Sequence, residues 1–419
     1  MKNNPKIILL ACTAFNLTIG VLYTWSMFKL RMTLPEVDGG WGWDYQMAGI
    51  PYTIGIICFS IGVFTGGRLQ DKIGPRRVCT IGGICVGMGL LLAGIIGANP
   101  IGIAICFGVI SCIGIGFGYS SVLPTALKWF HPCQKGLVSG FVTGGFCLAA
   151  VYLAPMATAF LNRFSIEQSL MLLGMVSLIT SVIIAQFVKI PADDFIAKAP
   201  DNISVETSVC KLPADYTSGE MVRTKRFYFM FFVFLINVSI GLMIIGNIAS
   251  IAYYQARVFD YRILAFLLAF MAIMNFFGRV GGGFVSDKIG RTNTLFIVMA
   301  VQMLNMLAFR QYDYIYLVMF GALLAGTCFG AVLSIFPAFT ADQFGIKNHG
   351  ANYGVVYLAY GASGVLAPFI ADYIYDKYGT YSIAYVVCAA MMLFALFVNF
   401  ALKREVKRIE TGKNHKIPV

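Results

Sequence analysis

Apolar runs of roughly membrane-spanning length, separated by short polar breaks, fill this chain. Twelve runs are counted, at about 6–29, 45–68, 77–97, 101–127, 136–161, 167–190, 227–253, 262–286, 291–309, 313–338, 350–373 and 379–402. A helix needs about 20 apolar residues to cross a hydrocarbon core of roughly 30 Å, so each run predicts one transmembrane helix. No A-x-A-type cleavage site follows the first run, which predicts a retained helix rather than a signal peptide. The longest polar stretch, 191–225, separates residues 1–190 from 226–402, and a basic tail occupies 403–419. The pattern predicts an all-α integral membrane protein: two six-helix bundles joined by a polar linker.

Composition supports the membrane reading. Hydrophobic residues make up 58% of the 419, charged residues only 12%, and the mean hydropathy is +0.78. The 44 glycines suit helices that approach closely in lipid. A net charge of +12 could suggest nucleic acid. The basic residues instead gather in alternate loops: Arg68, Lys72, Arg76 and Arg77, then Lys128 and Lys135, then Lys288 and Arg291, and the tail. By the positive-inside rule this places both termini in the cytoplasm of a cell membrane, with the bilayer and not nucleic acid as partner. The 11 cysteines include no C-x-x-C pair, and the three histidines, His131, His349 and His415, form no cluster of metal spacing. No metal, cofactor or catalytic cluster is expected, so the chain is not read as an enzyme. It has no P-loop for ATP-driven pumping.

An internal repeat reinforces the two halves. "GRLQDKIGPR" (67–76) and "GFVSDKIGR" (283–291) share Asp-Lys-Ile-Gly at 71–74 and 287–290, each after the second helix of its half. Gly67 and Gly283 would permit close helix contact, Asp71 and Asp287 would cap or pair across the inner face, and Gly74 and Gly290 would turn the chain. With Arg76 and Arg291 these form the expected gating loops. The loop resembles the motif of the major facilitator superfamily, and the likeness covers essentially the whole chain. That resemblance implies two pseudo-symmetric six-helix bundles that rock about a midplane site. "GVLYTWSMF" (20–28), "KWFHPCQKGLVSGFVTGGF" (128–146), "EMVRTKRFY" (220–228) and "NYGVVYLAYGASG" (352–364) are similar to segments of the oxalate/formate antiporter family, the second also to monocarboxylate porters. "DGGWGW" (38–43) copies a signature that opens helix 1 in animal monocarboxylate porters. Here it follows helix 1, and a glycine turn with Trp41 and Trp43 anchoring at the interface is expected.

Arg279 carries the chemistry. It lies eight residues before Asp287, roughly 12 Å into the membrane at about 1.5 Å per residue. A cation there costs from about 2.5 to over 10 kcal/mol. Asp44, Asp260, Asp342 and Asp372 all fall at helix ends, so a bound carboxylate is the expected counter-ion, matched to the planar guanidinium fork. The family's helix-8 arginine matches this position. The resemblance extends the substrate-binding set to Leu22, Tyr23, Tyr119, Phe146, Phe329, Leu333 and Tyr357. Tyr360 stands where oxalate transporters have lysine, so one cation suits one carboxylate. Asn275 stands where animal monocarboxylate porters have an aspartate implicated in proton coupling. The expectation is a monomeric secondary transporter of lactate, pyruvate or formate-class anions, coupled to protons. Carboxylate exchange of the oxalate/formate type is the alternative.

Overall fold

Caps and prolines decide where the helices begin. Asn4 accepts from the Lys6 N–H ahead of Pro5, and Asn99 accepts from the Gly102 N–H ahead of Pro100. Ser165 and Gln168 close a reciprocal capping box, which satisfies backbone donors that the first turn leaves open. Gly74 and Gly290, at φ of +87° and +90°, make the matching turns after the two repeated loops.

The computed structural model describes residues 4–131, 134–191, 215–258 and 261–410. Its long helices are α1 (Pro5–Thr33), α2 (Tyr45–Ile73), α3 (Pro75–Ile96), α4 (Pro100–Leu127), α5 (Lys135–Leu161), α6 (Ile166–Ala185), α7 (Lys225–Tyr254), α8 (Tyr261–Ile289), α9 (Arg291–Phe309), α10 (Ile315–Phe344), α11 (His349–Tyr378) and α12 (Ser382–Glu410). A tighter 3₁₀ turn, Gly20–Thr24, interrupts α1, and a wider π turn, Ala104–Ser111, opens α4. Among the described residues ten helices are long and apolar enough to cross a membrane by length and composition alone. The two others, α8 and α11, carry Arg279 and a row of tyrosines.

Packing repeats from one half to the other. In the first half α3 pairs with α6, α2 with α4 and α1 with α5; in the second α9 pairs with α12, α8 with α10 and α7 with α11. These are the same three pairings advanced by six helices, so the protein is two pseudo-symmetric six-helix bundles. The bundles meet along α5 with α8 and along α2 with α11. Both seams need glycine: a Cβ on Gly140 would run into the Arg279 carbonyl, and one on Gly67 into that of Gly350. Met175, Ile179 and Ile183 on α6 and Leu393, Phe397 and Phe400 on α12 are exposed. These outward apolar rows suit hydrocarbon.

The outer loop after α1 and the linker complete the fold. Trp43 is buried and Trp41 donates to Glu167 Oε1 on α6 at 2.9 Å, while the backbone N–H groups of both bond the Met32 carbonyl. The Trp41 indole thus docks on the start of α6 and packs on Trp43, ring centroids 4.9 Å apart, where the glycine turn at Gly39 and Gly42 folds the loop back. Most of the linker, the tail beyond Glu410 and Asp260 lie outside the described residues, and the Asp372 side chain is not described. The linker's last part is described. The Tyr216 carbonyl accepts from Asn348 and Asn352, and its ring lies under the Arg226 guanidinium. This straps the linker to the turn between α10 and α11.

Candidate substrate-binding site

The residues around Arg279 come from both bundles. Its side chain is 1% exposed, at the seam where α5 and α8 touch. Nε donates to Asn275 Oδ1 one turn earlier on α8, at 3.0 Å, and Nη1 donates across the seam to the Thr143 carbonyl of α5, at 2.7 Å. Both acceptors are neutral. No ion pair reaches Arg279, and no aspartate or glutamate is buried, among the described residues. The guanidinium faces Cys147, Tyr119, Tyr23 and Tyr357. A full positive charge is thus enclosed with partial dipoles for company, a costly arrangement that a bound anion would relieve.

Aromatic rings form the walls. Phe59 on α2 is the hub, with centroids 5.6 Å from Tyr119, 5.7 Å from Phe146, 5.5 Å from Tyr357 and 5.8 Å from Tyr360. Phe146 also meets Tyr23 edge-on at 5.5 Å. Tyr357 and Tyr360 stack at 4.8 Å, and the contact of Tyr360 with Phe59 shows that it turns towards the first bundle. Tyr353 continues this row one turn earlier, 5.4 Å from Tyr357. Offset and edge-to-face ring pairs contribute about 0.5–1.5 kcal/mol each beyond their area. They also exclude water, which strengthens any ion pair formed inside.

The expected residues divide. Arg279, Asn275, Tyr23, Tyr119, Phe146, Tyr357 and Tyr360 are brought together. Leu22 lies against Gly55 on α2, beside the ring cluster's first-bundle wall. Leu333 is buried three residues beyond Gly330, which packs on Asn275, so it continues the side of α10 turned to α8. Phe329 goes elsewhere. It presses on Gly241 of α7 and lines a separate cavity of about 10 Å³ with Asn237, Gln302 and Met392. It makes no ring contact with the cluster among the described residues. The cause is helical phase: glycines 326 and 330 are the face α10 offers to α8, leaving Phe329 on the flank turned to α7.

Phe59, Thr143, Tyr353 and Phe234 (6.0 Å from Tyr357) were not anticipated. Spacing could have found Tyr353, since His349, Tyr353, Tyr357 and Tyr360 fall at i, i+4, i+8 and i+11 on one helical face. No such signal marks Phe59, one of 35 phenylalanines. Thr143 contributes a carbonyl that any residue could supply.

Below the site the repeated loops close one end of the molecule. Asp287 accepts from the N–H groups of Gly136 and Leu137 at the start of α5, both at 2.9 Å. Arg291 Nη1 bonds Asp287 at 2.6 Å and its Nε bonds Asp342 at 2.8 Å, and Asp342 also receives Lys135 at 2.9 Å. In the other copy Asp71 accepts from the Ala351 N–H at the start of α11, at 3.2 Å, and from Gln70 at 2.6 Å. Each aspartate ends a helix of one bundle and caps a helix of the other. Arg76 turns away to Gln186 at the C-terminal end of α6, in its own bundle.

Comparison with known proteins agrees with this architecture. The family model described as Major Facilitator Superfamily matches residues 14–310 and 303–417. The uncharacterized MFS-type transporter YhjX of Escherichia coli (strain K12) is 28% identical over 351 residues, 83% of this chain and 82% of that protein. The oxalate:formate antiporter of Oxalobacter formigenes is 26% identical over 396 residues, 93% of this chain and 90% of that protein. Among solved structures, the MFS transporter FucP in its outward conformation superposes with a TM-score of 0.70 at 14% identity, over 96% of this chain and 99% of that one.

Proposed function

The chain belongs to the Major Facilitator Superfamily and is a multi-pass membrane transporter, and from that premise we propose that it carries small monocarboxylates of the lactate, pyruvate or formate class. One observation carries the reading: Arg279 is enclosed at 1% exposure with two neutral oxygens as its hydrogen-bond partners and no buried acid among the described residues. A carboxylate replacing the Thr143 carbonyl would gain a bidentate, charge-assisted partner. It would also loosen the contact between α5 and α8, so binding and rocking of the bundles are linked. The site offers one cation, and Tyr360 contributes a ring and a hydroxyl where a second positive charge would be needed for a dianion. Leaving one carboxylate of oxalate uncompensated in this apolar cage is costly.

The basic loops support a cytoplasmic closed end, and the protein is read as acting as a monomer. Coupling to protons is the favoured mode. Carboxylate exchange is kept as the second reading, because one relative is an oxalate:formate antiporter. Uptake of labelled lactate, pyruvate, formate and oxalate into liposomes holding the purified protein tests all of this. Monocarboxylates are expected to compete better than oxalate. Arg279→Lys, which keeps charge but loses the fork, should lower uptake by more than about tenfold. Uptake by that variant within about twofold of wild type would overturn the anchor role. A requirement for internal carboxylate, with no response to a pH gradient, would establish exchange over symport.

A further inference from the structure

A string of buried polar atoms remains unused between the site and the closed end. His349 opens α11 and is fully buried; its Nε2 lies 2.9 Å from the Pro337 carbonyl of α10. That carbonyl can only accept, so Nε2 holds the ring's proton and Nδ1 is a bare acceptor. Among the described residues Nδ1 makes no well-formed hydrogen bond, and neither do the hydroxyls of Tyr353 and Tyr119. Orphaned buried polar atoms cost free energy and call for an explanation. The Tyr119 and Tyr353 hydroxyls face each other, and Tyr353 stands one helical turn from His349. The His349 ring stacks on Tyr353 at 5.8 Å and 11°, and the Tyr119 hydroxyl faces Tyr353, Tyr357 and Arg279.

We propose that His349 is the proton acceptor of the transport cycle, reached from Arg279 through the Tyr119 and Tyr353 hydroxyls, and that its protonation releases the α2–α11 latch. The proposal rests on the carrier reading above and names the residue that would make it a symporter. A carboxylic acid bound at Arg279 gives its proton to the Tyr119 oxygen while Tyr119 passes its own to Tyr353, and Tyr353 passes its own to Nδ1. The carboxylate stays paired with Arg279, both hydroxyls end as they began, and one positive charge appears on His349.

That charge arrives in a hostile place. Lys135 on α5 and Lys128 after α4 face the ring, and the positive end of the α11 dipole adds to them. Asp342 on α10 also faces it but is already bonded by Lys135 and Arg291. Asp71 on α2 faces the next two residues, Gly350 and Ala351, and is committed to the Ala351 N–H. An imidazolium therefore disfavours the closed latch, where Gly350 rests on Gly67. Opening exposes Nδ1 to water, which takes the proton and resets the ring.

The closed end can be watched directly with Ser139→Cys, a buried α5 position bonded to the Ser334 carbonyl of α10. Maleimide labelling of that thiol in liposomes is compared between variants at the same pH, about 5 and about 8, on either side of the ordinary imidazole range. His349→Gln still donates to Pro337 but takes no proton. At the lower pH it should label at least about fivefold more slowly than the His349 parent, and equally at the higher. His349→Arg should label fast at both. Equal labelling of His349→Gln and the parent at both pH values overturns the latch. Tyr353→Phe keeps the ring stack without the hydroxyl, and should lose about tenfold of gradient-driven lactate uptake. Undiminished uptake by it overturns the path. If wild type exchanges labelled carboxylates but never accumulates them on a pH gradient, the proton role falls while the carrier reading stands. Absence of any carboxylate uptake overturns both.

Discussion

Asp71 ends α2 in an exposed position, while its repeat partner Asp287 ends α8 with a side chain 10% exposed. Both follow the same plan, capping a helix of the opposite bundle from within an identical Asp-Lys-Ile-Gly sequence. The difference lies four residues on. Arg291 stands at i+4 from Asp287 and reaches it, whereas Pro75 holds that place after Asp71 and Arg76 points about 100° round the helix, towards Gln186. The second copy thus gains a desolvated chain of charges, Asp287–Arg291–Asp342–Lys135, that crosses between bundles. The first has hydrogen bonds alone among the described residues. An exposed contact contributes about 0–1 kcal/mol, while breaking a buried pair costs about 3–5 kcal/mol. One proline for one arginine leaves the α2–α11 seam without the chain of charges that ties the α5–α8 seam at the closed end.

The contrast can be broken from the strong side. Asp287→Asn should lower the melting temperature of the purified protein by about 5 °C or more, and Asp71→Asn by about 1 °C. Equal losses would mean that the two latches carry equal weight. Arg291→Lys comes next in size. A lysine can reach Asp287 or Asp342 but cannot bridge both as a rigid fork does, so a loss of about 2–3 °C is expected in the same melting experiment. An unchanged midpoint would show that the bridge adds nothing to the separate pairs. The smallest effect comes from the weak side. Pro75→Arg offers Asp71 the missing partner at an exposed site, and should raise the midpoint by no more than about 1 °C. It should also slow maleimide labelling of Ser139→Cys if the α2–α11 seam is the one that opens first.

Much of the architecture is decided along the chain itself. Twelve apolar runs of bilayer length commit the backbone to helices, because only internal hydrogen bonding satisfies amides in hydrocarbon. Arg279 is legible for the same reason: one cation in an uncharged run has no local explanation. The loop duplication is legible because it is literal repetition. Helical periodicity says which side chains share a face, but not which face meets which helix. That is why Phe329 was expected at the site and lies instead against Gly241, while Phe59, unremarkable among its kind, became the hub. The Thr143 carbonyl, the α5–α8 crossing at Gly140 and the Lys135–Asp342 bridge arise only when residues 100 or more apart in sequence meet as the two bundles close on each other. Close-packed seams of small residues select one phase for each helix out of several that hydropathy leaves equal, and that selection places the polar atoms around Arg279.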